Sequence, residues 1–124
     1  MQRETIIFNS RDELLRLGIS KIVYIEADGN YTNIITVNKL RSQVRLNLGE
    51  MERMLAAELG ERSKCFMRIG KSYIINTQFI YRINILNQYL VLSDYDHFAF
   101  QIKLSKEALK KIKDLTLNSV IHNQ

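Results

Sequence analysis

Apolar and polar residues alternate along much of the chain, and this alternation sets the first expectations. Leu40, Ser42, Val44 and Leu46 oppose Arg41, Gln43 and Arg45, a period of two that predicts a half-buried strand with a basic outer side. Within 77–86 the same period sets Tyr81, Ile83 and Ile85 against Arg82 and Asn84. Within 98–104 it sets Phe98, Phe100, Ile102 and Leu104 against Ala99, Gln101 and Lys103. Residues 6–8, 21–27, 30–37 and 89–93 are rich in β-formers and predict further strands, with turns at Asp28-Gly29, Asn38-Lys39 and Asn87-Gln88. The period becomes helical over 47–59, where Leu48, Met51, Leu55 and Leu59 share one face, Asn47 and Glu50 make a capping box, and Gly60 is a stop. A second helix is expected after Ser105, with Glu107 in its first turn, Ala108, Ile112 and Leu115 on its buried side, and a frayed tail from Asn118. A short helical turn over 11–17 is also expected, capped by Ser10, with Glu13 at the capping-box position and Gly18 as its stop. The predicted fold class is mainly β, antiparallel, with two short helices and neighbouring strands pairing in sequence order.

Composition narrows this picture. The 124 residues contain no Pro, no repeat and no linker-like tract, so one domain over 1–124 is expected. A net charge of +5 leans towards a polyanionic partner. One cysteine, Cys65, excludes an internal disulfide and fits a reducing compartment. No apolar run approaches the roughly 20 residues that span a bilayer, and the charged N-terminus does not read as a signal peptide. A soluble, cytoplasmic protein is the expectation.

Candidate catalytic chemistry is sparse. His97 and His122 are far apart, one cysteine cannot build a metal cluster, and Gly29, Gly49, Gly60 and Gly70 stand alone rather than in a phosphate loop. Asp94 and Asp96 flank Tyr95 and read as solvated turn residues rather than as a carboxylate pair. Neither catalysis, a cofactor nor a metal is expected.

The cations are more informative, because they gather in turns and at element ends: Lys39 and Arg41, Arg62 and Lys64, Arg68 and Lys71, Lys103 and Lys106, then Lys110, Lys111 and Lys113. Asn30, Tyr31, Thr32 and Asn33 add donors and acceptors after the Asp-Gly turn. Phosphates and base edges call for such side chains. Residues 66–76, FMRIGKSYIIN, concentrate the pattern. Phe66, Ile69, Tyr73, Ile74 and Ile75 can anchor the segment, Arg68 and Lys71 can reach a polyanion, and Gly70, Ser72 and Asn76 suit a bend.

Two segments carry a resemblance. Residues 21–37, KIVYIEADGNYTNIITV, and 66–76, FMRIGKSYIIN, followed by IYRI, strongly resemble the LytTR (LytR/AlgR-type) family of bacterial DNA-binding domains. That family shows an I-x-Y-I-E-A-x-G-N-Y opening and an F-x-R-I-H-R-S-Y-x-V-N centre, and the likeness runs over about 21–113. It implies antiparallel strands in small stacked sheets, a response-regulator setting, and transcriptional regulation by loops that read major-groove sites in double-stranded DNA. Carried over, the DNA-contacting residues are Asn30, Thr32 and Asn33; Arg68, Lys71 and Ser72; and Ser105, Lys106 and Lys110. Flanking core residues leave a structural role open for Arg68. Gly70 stands where the family often has His, and Lys106 where Arg is usual, which removes a bidentate fork. Repeated sites, two copies on DNA, and a separate sensor or receiver protein are further implications. A free-standing regulator and a fragment of a longer one both stay open.

Two other readings compete. A protein-interaction module on the same scaffold, without sequence-specific DNA binding, would use a sheet edge or Tyr89, Tyr95 and Phe98. A single-stranded RNA binder would need exposed stacking aromatics, and most aromatics here are expected to face a core.

Overall fold

The computed structural model describes residues 4–122, and side chains through residue 119. The described residues form two compact units, divided after Asn76.

The first unit begins with a hairpin of β1 (Thr5–Asn9) and β2 (Leu14–Gly18), paired from Thr5↔Gly18 to Asn9↔Leu14. The helical turn expected over 11–17 is therefore corrected. Leu15 and Leu17 alternate with the exposed Arg16, a strand period, and pack against the core, so burial and pairing outweigh the local cap pattern. Ser10 instead closes the hairpin loop, its amide and hydroxyl both donating to the Glu13 carbonyl, at 2.9 and 3.2 Å.

A short 3-10 turn, Ile19–Lys21, leads into β3 (Ile22–Asp28), β4 (Tyr31–Thr36) and β5 (Arg41–Val44). Then come α1 (Leu48–Leu59), β6 (Phe66–Ile69) and β7 (Tyr73–Asn76). These five strands form one antiparallel sheet in the order β5-β4-β3-β7-β6. Sequence-order pairing holds for β3-β4-β5 and for β6-β7 but not between β5 and β6, which form opposite edges; β3 pairs with β7 instead, joining Ile25 to Ile74 across the intervening helix.

One sheet face is apolar. Ile22, Ile25, Ile34 and Ile74 lie there against Leu48, Met51, Leu55 and Leu59 of α1, with Ile6, Phe8 and Ile19 closing the same core. Each such fully buried side chain stabilises the fold by about 1.5–3 kcal/mol. The helix begins where expected: Asn47 accepts from the Glu50 amide at 2.9 Å, and the Glu50 carboxylate accepts from the Asn47 amide at 3.0 Å. Asn76 at the far end of β7 is also fixed, its side-chain amide donating to the Ile22 carbonyl at 2.9 Å. Phe66 packs against the core from a half-buried position.

The second unit holds β8 (Ile80–Asn84), β9 (Tyr89–Ser93) and β10 (Ala99–Lys103) as an antiparallel sheet in the order β10-β9-β8, followed by α2 (Lys106–His122). A register shift between Ile80 and Arg82 breaks the expected alternation, so Tyr81 is exposed rather than aligned with Ile83. The buried side of α2 is Leu109 and Ile112. Leu115, expected there, is exposed, and the helix continues past Asn118 instead of fraying at it. Tyr31, Tyr81 and Tyr95 are exposed, so the aromatics divide between core and surface.

Candidate nucleic-acid interface

The strand directions bring two turns to the same end of the five-stranded sheet. Residues 29–30 join β3 to β4, with Asp28 paired to Tyr31; Gly29 takes φ +62°, which a two-residue hairpin favours at its first central position. Residues 70–72 join β6 to β7, with Ile69 paired to Tyr73, and Gly70 takes φ +55°. The second turn is fastened to the sheet by the Ala27 amide, which donates to the Ser72 carbonyl at 2.8 Å. A rigid sheet thus presents Asn30, Lys71 and Ser72 side by side. All three are exposed, and none spends its side chain on a partner among the described residues.

Three other expected contacts in this unit are placed differently. Thr32 is 0% exposed on the core face of β4, opposite Ala27 and Val44, and its hydroxyl has no hydrogen-bond partner. Asn33 is 5% exposed; its side-chain amide donates to Asp28 Oδ2 at 3.2 Å, where Gln43 Nε2 also donates at 3.2 Å. Arg68 donates from Nε to the Gly70 carbonyl and from Nη1 to Glu52 Oε1, both at 2.9 Å. These placements correct the expectation for Thr32, Asn33 and Arg68. A two-residue turn makes Tyr31 the first residue of β4, so Thr32 and Asn33 already belong to a covered strand. Arg68 shares its sheet face with Ile74 and is drawn to α1. Its structural role sets the shape of the 70–72 turn rather than supplying a free cation.

In the second unit, the Ser105 hydroxyl accepts from the Ala108 amide at 3.1 Å and caps α2, which leaves its proton available to an acceptor. Lys106, Lys110 and Lys113 follow at helical spacing, all exposed. Lysines here can reach phosphates as point charges, while the helix N-terminus adds partial positive charge.

Some of the remaining charged groups are paired within the first unit. Arg41 pairs with Glu26, and Lys64 with Glu61 at 2.7 Å. Burial first, then the Glu26 carboxylate, pushes the Tyr24 and Tyr73 phenols above their ordinary values. Burial likewise raises the Cys65 thiol, whose Sγ donates to the Arg62 carbonyl at 3.1 Å, so it is a poor nucleophile. Asp94 is not the solvated residue expected. Partial burial opposes its ionisation, but the His97 amide and ring and the Phe98 and Asp96 amides hold its carboxyl far below the usual range. Among the described residues no group of three or more His, Cys, Asp or Glu is placed to hold a metal, and no helix is long and apolar enough to cross a membrane.

Residues 12–116 match the family described as the LytTr DNA-binding domain. The chain belongs to that family, and is a DNA-binding domain of the kind found in transcriptional regulators. Its fold is similar to a solved structure described as the LytTr DNA-binding domain of a candidate methyl-accepting/DNA response regulator from Bacillus cereus. That structure superposes with a TM-score of 0.61 at 20% identity, over 92% of this chain and 97% of the other. No curated protein sequence matches the chain.

Proposed function

We propose that the chain acts as one sequence-specific DNA-binding domain of a transcriptional regulator, reading the major groove of duplex DNA through the 29–30 and 70–72 turns and the start of α2. The observation that carries this reading is the set of unpartnered donors, Asn30, Lys71 and Ser72, on two turns fixed beside one another. Asn can pair bidentately with adenine, and Lys71, Lys106 and Lys110 supply backbone charge. The contact set is thus Asn30, Lys71, Ser72, Ser105, Lys106 and Lys110, with Asn33 and Arg68 shaping the turns. Two copies on repeated sites would extend so small a footprint. The response-regulator description of the similar structure supports control by a separate sensor or receiver protein. Such a regulator works in the cytoplasm, with the DNA.

Selection from a random duplex library at moderate salt tests this. Enrichment of a repeated half-site supports it; retention without enrichment means that only the backbone is read.

One observation favours a second reading, a protein-interaction module. Tyr81 and Tyr95 form an exposed edge-to-face pair, centroids 5.3 Å apart, with Tyr95 81% exposed at φ +77°. Phe98, which that reading also needs, is buried against Phe79 and Phe100. Capture of a protein partner with no retention of duplex would favour it.

A further inference from the structure

The end of the sheet that carries the two turns also carries a third cation. β5 runs antiparallel to β4, and the Thr32↔Val44 pair brings Arg45, the next residue, to the level of Tyr31. Arg45 is exposed and has no partner among the described residues. Three arginines of this unit are paired, Arg41 with Glu26, Arg68 with Glu52, and Arg11 with Asp12 at 3.9 Å; Arg16 and Arg53 are exposed like Arg45, but of these only Arg45 adjoins the turn-bearing end of the five-stranded sheet. Asp12 and Glu13 line an open groove beside Arg45 together with Tyr31 and Gln43, and neither acid lies within ion-pair distance of the guanidinium.

Strand order fixes the separation of the free cations. From β5 through β4 and β3 to β7 there are three inter-strand steps, about 14 Å in all, and one more step, about 19 Å, reaches β6. Lys71 lies in the turn between β7 and β6, so it stands about 14–19 Å from the Arg45 position along the sheet end. The turn bearing Asn30 lies between them, joining β3 to β4. The major groove of B-DNA is about 12 Å wide, so its walls are spaced to meet two such cations while the central turn enters.

We propose that Arg45 is a phosphate-contacting residue, paired with Lys71 so that the two hold opposite walls of the groove entered by Asn30. This rests on the DNA-reading function proposed above. The local pattern puts Arg45 on a basic strand side only; its place beside the turns depends on strand order.

The test uses Arg45→Ala, Lys71→Ala and Arg45→Lys in the full chain, against a duplex enriched by selection and a random-sequence duplex, across a salt series. A phosphate contact removed by Arg45→Ala weakens both duplexes by the same factor and lowers the log–log salt slope by about one, and Arg45→Lys restores the slope. Melting temperatures matching the parent confirm that the fold is kept. Loss confined to the enriched duplex would overturn the phosphate role in favour of base reading. Unchanged affinity and slope for Arg45→Ala, with loss for Lys71→Ala, would overturn this proposal alone. No loss for either variant would overturn it together with the function on which it rests.

Discussion

Replacing Thr32 by Val separates a core residue from a DNA contact. The Thr32 side chain is fully enclosed between Ala27 and Val44 on the apolar side of the sheet, and its hydroxyl lacks a partner. A buried hydroxyl without a hydrogen bond costs about 1–3 kcal/mol. Valine keeps the branched shape and the strand preference while removing that cost, and the added methyl buries a group worth roughly 0.8 kcal/mol. The expected result is a gain of about 1–3 kcal/mol. At about 4 °C per kcal/mol for a domain of this size, the melting temperature rises by roughly 4–12 °C. Urea denaturation gives the energy directly, as a higher midpoint at unchanged slope. Duplex affinity is expected to stay at the parent value. A less stable variant would refute the placement of the hydroxyl. An equally stable variant that lost affinity would show that Thr32 reaches DNA.

Lys71→Ala, at an exposed turn, is expected to weaken duplex binding and flatten its salt dependence with no change in melting temperature; equal loss of both would make Lys71 part of the scaffold. Phe66→Ala removes a half-buried ring and should cost roughly 2 kcal/mol by urea denaturation, below the 3–5 kcal/mol of a fully enclosed one, so an unchanged midpoint would contradict its packing against the α1 core. The Asp94 carboxyl titrates lower in the folded chain than unfolded, so its contribution is present above about pH 4 and is lost as pH falls towards the folded value. Asp94→Ala should therefore melt lower than the parent at neutral pH, with the gap narrowing in acid; a gap that widened on acidification would reverse the assignment.

What the sequence disclosed follows from how local each cause is. The capping box of α1, its buried stripe and the Gly60 stop all lie within 14 consecutive residues, from Asn47 to Gly60, and all were legible. The strands β3, β4, β5, β9 and β10 and their turns were legible for the same reason. The β1–β2 hairpin was misread because Ser10 and Glu13 satisfy a helix cap locally, while the evidence for a strand is the pairing itself. The β3–β7 pairing joins residues about 50 positions apart, Ile25 with Ile74, and has no local signature. The turn positions of Asn30, Lys71 and Ser72 were legible because turn residues announce themselves. Thr32 and Asn33 were overextended from the same motif by two residues, across the point where turn becomes covered strand. The capture of Arg68 by Glu52 depends on α1 lying against β6, and only the flanking core residues hinted at it.

The measurement that tests the account most directly is chemical-shift mapping of the labelled chain on titration with a duplex enriched by selection. The largest backbone shifts are expected at residues 29–30, 70–72 and 105–110, with the Arg68 Nη1 pair to Glu52 kept on binding. Shifts centred on Tyr81 and Tyr95, with the two turns silent, would contradict it.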